Sequence, residues 1–100
     1  MPEMEFRLRW PDGSESSFYS PSLVVEDHLT VGEDYTLPDL VARARLAMTI
    51  ASDRVQAKYG FPCSRAQGTL AAIERQAKAF DPQTTITVTG FRRLDGVQQS

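Results

Sequence analysis

Apolar and polar side chains alternate over residues 4–10. This period of two is typical of a β-strand that buries one face. Pro11, Asp12 and Gly13 follow as a turn signal, because proline suits the second position of a type I turn and glycine accepts the left-handed conformation after it. We therefore predict a hairpin in which residues 14–19 return antiparallel to the first strand.

A helical period governs residues 38–59, where apolar side chains recur at steps of three and four. This spacing predicts a long helix with one apolar stripe. Thr36 and Asp39 have the spacing of an N-terminal capping box, and Gly60 is suited to end the helix. The predicted stripe consists of Val41, Ala44, Met48, Ala51 and Val55.

A second helix is predicted to start after Ser64, whose hydroxyl and the Gln67 side chain have the spacing of a reciprocal cap. Asp81 and Pro82 end this helix. Residues 84–91 alternate again between apolar and polar positions and predict a last strand. The apolar stripe of the second helix consists of Ala66, Leu70, Ile73, Ala77 and Phe80.

The segment between the hairpin and the first helix has a mixed pattern. Serine can cap exposed amide groups and proline fits the first helical turn, so residues 20–22 indicate a helix start. Val24 and Val25 favour extended backbone equally well. Residues 23–29 therefore fit either an irregular segment or a short helix.

The order strand, strand, helix, helix, strand predicts the fold class α+β. We expect one domain over residues 1–91, with a three-stranded antiparallel or mixed sheet and two helices packed on one of its faces. Residues 92–100 are predicted to form a flexible tail. A three-stranded sheet leaves two edges open, so pairing across an edge, or burial of the free face against a second copy, would give a homodimer.

Composition narrows the classes of partner. The 100 residues are 41% hydrophobic and 24% charged, with a net charge of -2, and this balance offers no strong attraction for nucleic acid or anionic lipids. No apolar run approaches the roughly 18 residues that cross a membrane, and the acidic start lacks the regions of a signal peptide. We therefore expect a cytoplasmic protein that binds neither nucleic acid nor membranes.

Cys63 is the single cysteine, and it lies in the loop between the predicted helices, after Tyr59 and before Ser64. A catalytic thiol needs a base within hydrogen-bond reach, and the single histidine, His28, is thirty-five positions away. A free cysteine more often behaves as a small packed side chain. We predict no catalytic set and no cofactor, while a Cys63-dependent enzyme stays open as an alternative.

Glu26, Asp27 and His28 come nearest to a metal-ligand cluster. Three consecutive side chains seldom point at one ion, and no second ligand cluster accompanies them. We interpret this run as a solvated loop and predict no metal site. Trp10 and Tyr59 are interpreted as core or interface aromatics rather than as platforms for base stacking.

Two groups of polar residues fit a small anion. Tyr19, Ser20 and Pro21 lie at a possible helix start, and Arg54 and Lys58 lie one turn apart on the predicted long helix. Simple helix capping and ordinary solvated surface charge are the competing interpretations. A small-molecule sensor or carrier for an anionic metabolite is therefore a second alternative function.

Several short motifs occur in order along the chain: RWPDGS at 9–14, YSPS at 19–22, ASDRV at 51–55, KYGF at 58–61 and CS at 63–64. In these motifs the chain resembles a family of small bacterial nitrogen-starvation response proteins. The resemblance extends over roughly residues 2–91. It implies a role in nitrogen scavenging, and it implies no catalytic residue.

The resemblance further implies a genetic context: gene clusters that encode a nitrilase, a radical S-adenosylmethionine protein, an acetyltransferase-like protein and a flavin-dependent oxidoreductase. A nitrilase supplies its own catalytic cysteine. We therefore expect a non-catalytic accessory protein that binds a partner from the nitrilase-associated nitrile or cyanide pathway, using the hairpin and residues 59–64. The candidate binding residues are Trp10, Tyr19, Ser20, Pro21, Arg54, Lys58, Tyr59 and Cys63.

Overall fold

The computed structural model describes residues 3–94. Within that range the sequence forms four strands, two α-helices and one short 3-10 helix. In chain order these elements are β1 (Met4–Arg9), β2 (Glu15–Ser20), the 3-10 helix (Leu23–Asp27), β3 (Asp34–Thr36), α1 (Leu37–Tyr59), α2 (Ser64–Ala77) and β4 (Thr85–Arg93).

The hairpin formed by β1 and β2 is confirmed. Its strands pair antiparallel over their whole lengths, from Met4 opposite Ser20 to Arg9 opposite Glu15. The turn between them is closed by the Trp10 amide, which donates to the Ser14 carbonyl at 2.8 Å. Glycine is required in this turn because the backbone at Gly13 has φ +89°.

The α+β class is confirmed, but the prediction of three strands was wrong. The sheet has four strands in the order β2-β1-β4-β3, with antiparallel neighbours throughout. The missed strand, β3, precedes α1 and pairs with Thr85–Thr87. β3 forms because Tyr35 is buried against the core between the exposed residues Asp34 and Thr36. The sequence pattern does not predict it, because three residues are too few to show a period.

One face of the sheet, here called the inner face, forms the core with the helices. Met4, Phe6 and Leu8 of β1 are fully buried, and burial of a side chain the size of phenylalanine contributes about 1.5 to 3 kcal/mol. The helix α1 covers this face with an apolar stripe that includes Leu40, Ala44 and Met48. The inward residues of the sheet are Met4, Phe6, Leu8, Phe18, Ile86 and Val88.

The predicted C-terminal end of α1 is confirmed, whereas the predicted side-chain caps at the N-termini of both helices are not. Gly60 ends α1 with φ +88°, and its amide donates to the Gln56 carbonyl at 2.8 Å. Both predicted side-chain caps were wrong, because Thr36 makes no capping hydrogen bond and the residue that precedes α2 is Cys63 rather than Ser64. The stripe predicted as far as Phe80 extends beyond α2, whose last residue is Ala77.

Residues 23–29, whose pattern fits either an irregular segment or a short helix, contain the 3-10 helix Leu23–Asp27. Ser22 caps the 3-10 helix, since its Oγ accepts a hydrogen bond from the Val24 amide at 3.2 Å. The prediction that a flexible tail begins at residue 92 is wrong for its first two residues, because β4 continues through Arg92 and Arg93. The rest of that predicted tail, residues 95–100, lies outside the described residues, as do residues 1–2.

Two glycine substitutions separate the backbone requirement at Gly60 from ordinary helix propensity. A Cβ at either Gly60 or Gly68 would meet no atom within 4 Å, but only Gly60 has positive φ. We expect Gly60→Ala to lower the free energy of unfolding by about 1 kcal/mol. Gly68→Ala, inside α2, should raise it by roughly 0.5 to 1 kcal/mol. Urea denaturation followed by circular dichroism measures both, and equal effects would contradict the cap.

Candidate functional site

The predicted binding residues lie in two separate places. Trp10 is only 3% exposed and stacks on Phe80, with ring centroids 5.7 Å apart. Its Nε1 donates to Ser16 Oγ at 3.0 Å, and that hydroxyl donates to Gln76 Oε1 at 3.0 Å. Trp10 therefore fastens the hairpin to the end of α2 and offers almost no surface to a ligand.

The remaining candidates lie where β2 ends and where α1 meets α2. Ser20 is fully buried, and its hydroxyl donates to the Ser22 carbonyl at 2.7 Å. Arg54 on α1 donates from Nη1 to Ser22 Oγ at 3.0 Å. The neighbouring Pro21 is also buried. These contacts attach the chain after β2 to the long helix. The hydroxyl groups of Ser20 and Ser22, which an anion would have to contact at this site, are therefore already hydrogen-bonded within the protein.

Tyr19 lies on the outer face of the sheet, close to the start of α2. Its hydroxyl donates to Glu3 Oε2 at 2.5 Å, and the guanidinium carbon of Arg65 lies 3.6 Å from its ring centroid. Burial raises the pKa of the Tyr19 phenol, and the hydrogen bond and negative charge of Glu3 raise it further, with Arg65 acting in the opposite direction. The cluster therefore keeps Tyr19 protonated and fixes it against α2.

Cys63 is positioned by α1. Its amide donates to Ser52 Oγ at 3.2 Å, and the residue is half-buried. The histidine that a catalytic thiol would need lies elsewhere, since the His28 carbonyl accepts from Arg43 on an earlier part of α1. Arg43 and Ser52 are nine residues apart, which is roughly 13 Å along a helix. Cys63 and His28 therefore do not form a catalytic pair.

Neither a cluster of metal-ligating side chains nor a membrane-spanning helix occurs among the described residues. Residues 3–94 contain no group of three histidine, cysteine, aspartate or glutamate side chains that could hold a metal ion. None of the helices in that range is long and apolar enough to cross a membrane.

The junction between α1 and α2 exposes two aromatic side chains, one on the last residue of α1 and one in the loop that follows. Tyr59 is 54% exposed and Phe61 is 63% exposed, and Pro62 beside them is exposed as well. We call residues 59–62 the aromatic loop. Hydrogen bonds hold both of its ends, from the Gly60 amide to Gln56 and from the Cys63 amide to Ser52. The loop therefore presents its rings to solvent from a fixed backbone.

Phe61 was not among the predicted binding residues. Gly60 and Pro62 mark a turn at this position, but a turn does not decide whether the ring between them faces solvent or the core. Tyr59, by contrast, was predicted and is exposed, with Lys58 Nζ 5.6 Å from its ring centroid. Tyr59 and Phe61 are the only aromatic side chains among residues 3–94 that are more than half exposed.

Three cationic residues that flank the aromatic loop in the sequence are absent from the ion pairs of the described residues. Arg54, Lys58 and Arg65 make no ion pair within 4 Å among the described residues. Carboxylates of residues 3–94 pair with other arginines instead, namely Arg7, Arg9, Arg43, Arg45, Arg92 and Arg93. Asp53 is the exposed acid beside this region, and it lines a cleft of about 270 Å³ between α1 and α2 together with Pro62. Of the three cations only Lys58 lies beside a ring of the loop, because Arg54 donates to Ser22 and Arg65 lies over the Tyr19 ring.

These features define a small α+β protein with an exposed aromatic loop and no catalytic pair at its single cysteine. A family model described as "Nitrogen starvation-induced protein NitG" matches residues 5–91, so the chain belongs to this family. The resemblance to nitrogen-starvation response proteins is thereby confirmed. Comparisons with curated proteins and with solved structures gave no match.

The Tyr19 cluster predicts an alkaline signature. The folded-state pKa of the Tyr19 phenol is raised above the ordinary value of about 10. The stability that the protonated phenol contributes is therefore complete below about pH 10 and is lost as the pH rises above that value. We expect the stability of Tyr19→Phe to fall less steeply than that of the wild type above about pH 10.

Tyrosinate absorbance provides the direct measurement, because the titration of the wild type minus that of Tyr19→Phe isolates one phenol. The account predicts a midpoint above about 10 for this difference. A midpoint at or below that value would show that Tyr19 is not held by Glu3 and its surroundings.

Proposed function

We propose that this protein is a non-catalytic accessory protein of the nitrogen-starvation response that binds a partner protein through the aromatic loop. The observation that carries the proposal is the exposure of Phe61 and Tyr59, each more than half accessible. Contiguous exposed aromatic surface is characteristic of interaction sites, and aromatic side chains dominate the binding energy of many protein interfaces.

The fixed backbone of the aromatic loop supports the proposal. Gly60 and Cys63 are both hydrogen-bonded to α1, at Gln56 and Ser52. A preorganised loop loses little conformational entropy when it binds, so more of its contact energy contributes to affinity. A partner that buries both rings would therefore gain affinity without first ordering the loop.

The charge beside the loop favours a particular partner surface. Lys58 Nζ lies 5.6 Å from the Tyr59 ring centroid, and Lys58 has no carboxylate partner within 4 Å among residues 3–94. Interfaces join complementary potentials, which speeds association and excludes wrong partners. We expect the partner to offer an apolar pocket bordered by carboxylates.

The setting of the proposal is nitrogen limitation, which family membership supports. We place the protein in the cytoplasm and look for its partner among the proteins of a nitrilase-associated nitrile or cyanide pathway. An accessory role fits the chemistry of the site, because the thiol of Cys63 has no histidine beside it and a nitrile-hydrolysing partner would supply the catalysis.

Loop substitutions test the binding surface. We expect Phe61→Ala and Tyr59→Ala each to lower partner affinity by about 2 kcal/mol, or roughly 30-fold, because each removes a ring that the partner buries. The tagged protein is purified from nitrogen-starved cells, its stoichiometric companion is identified by mass spectrometry, and the dissociation constant is then measured with purified components.

Leu46→Ala is the matched control. Leu46 is 52% exposed on α1, roughly 20 Å along the helix from Tyr59. Its removal should leave the affinity unchanged, and circular dichroism should show all three variants folded. Equal losses from Leu46 and from the loop, or no loss from the loop, would contradict the proposed surface.

Cys63→Ser tests the non-catalytic role. Serine is a better N-cap than cysteine, and Cys63 occupies the N-cap of α2 without making a side-chain cap. We expect a stability equal to that of the wild type or higher by up to about 1 kcal/mol, with partner affinity unchanged. Retained binding together with loss of function under nitrogen starvation would instead favour a Cys63-dependent reaction.

A further inference from the structure

The cleft of about 270 Å³ between α1 and α2 has an apolar floor and a polar rim. Met48 and Ala66 line it and are almost fully buried, so they form the floor. Its volume is close to the lower limit of about 300 Å³ for small-molecule pockets, so a ligand of this cleft is small. The exposed polar side chains at the rim are those of Thr49, Asp53, Gln56 and Gln67.

Helical spacing brings the rim side chains together. Thr49, Asp53 and Gln56 follow one another on α1 at steps of four and three residues, so they share one face of that helix. Gln67 lies on α2 and lines the same cleft from the other side. Polar groups of two helices therefore converge on one small space.

The cleft is fixed at the junction of the two helices. The Cys63 amide donates to Ser52 Oγ at 3.2 Å, and Ser52, which lines the cleft, is only 9% exposed. Both walls are regular helices, and this hydrogen bond joins the start of one to the other. A ligand would therefore bind without first ordering the protein around it.

Asp53 gives the cleft a negative charge. It is the only charged residue among those that line the cleft, and it takes part in none of the ion pairs within residues 3–94. The adjacent Arg54 is directed to Ser22 Oγ at 3.0 Å. The carboxylate of Asp53 is therefore open to a cation that enters from solvent.

We propose that this cleft binds a small organic cation, a primary ammonium group on a short apolar body. The ammonium group has three donors and the Asp53 carboxylate accepts only, which makes their hydrogen bond charge-assisted. The side-chain carbonyls of Gln56 and Gln67 accept the remaining N–H groups, and the apolar body lies over Met48 and Leu70. The charge of Asp53 disfavours an anion, so this site differs from the anion site considered from the sequence.

Titration of the isolated protein tests the site, so the inference does not depend on a partner or on the proposed function. Butylammonium and benzylammonium are added to nitrogen-15-labelled protein at constant ionic strength, and the backbone amides are followed by NMR. We expect saturable shifts confined to residues 48–56 and 62–70. Butanol and butyrate, which have a similar size and no positive charge, should give no saturable shifts.

Asp53→Asn isolates the charge while keeping the shape of the side chain. We expect it to weaken binding of both ammonium ions at least roughly tenfold, because a charge-assisted hydrogen bond becomes a neutral one. The variant should fold as the wild type does, since asparagine and aspartate have similar helix propensities.

Asp27→Asn is the matched control. Asp27 is exposed on the 3-10 helix and is also absent from the ion pairs of residues 3–94, so its substitution removes the same charge elsewhere. It should bind as the wild type does. Four results would overturn the proposal: no saturable shift with either ammonium ion, equal binding of butanol, undiminished binding in Asp53→Asn, or an equal loss in Asp27→Asn.

Discussion

The apolar face of the sheet has to be covered, and the rest of the structure depends on that constraint. β1 has a strand on each side, so its inward residues Met4, Phe6 and Leu8 are fully buried once a helix covers them. The cover is α1, whose 23 residues make a helix about 35 Å long. The molecule is 39 Å in its longest dimension. Both ends of α1 therefore reach the surface, and the aromatic loop follows one of them.

The same packing decides which candidate residues are available for function. Trp10 and Ser20 are used inside the fold, the first as a stack on Phe80 and the second as a hydrogen-bond donor to the chain after β2. Tyr19 is fixed between Glu3 and Arg65. What the fold leaves free is the aromatic loop, with Lys58 beside the Tyr59 ring. This division is the ground on which we propose an interaction role.

Local pattern predicted the hairpin, both helices and the last strand, because each has a clear period or turn. The strand β3 was missed since its stability comes from Tyr35 and from pairing with β4, which lies fifty residues later. The N-cap of α2 was assigned to the wrong residue because spacing alone cannot tell whether Cys63 or Ser64 immediately precedes the first helical residue. In the site, the exposure of Phe61 and the contact between Tyr19 and Arg65 arise from tertiary packing, which no single-sequence pattern reports.

The most direct test of the central claim is photo-crosslinking from the aromatic loop. A photoreactive phenylalanine derivative at position 61 replaces one aromatic ring by another, and the same derivative at position 46 samples an exposed position on the far part of α1. In nitrogen-starved cells the account predicts one discrete crosslinked protein from position 61 and none from position 46. No crosslink from position 61, or the same products from both positions, would contradict a partner-binding loop.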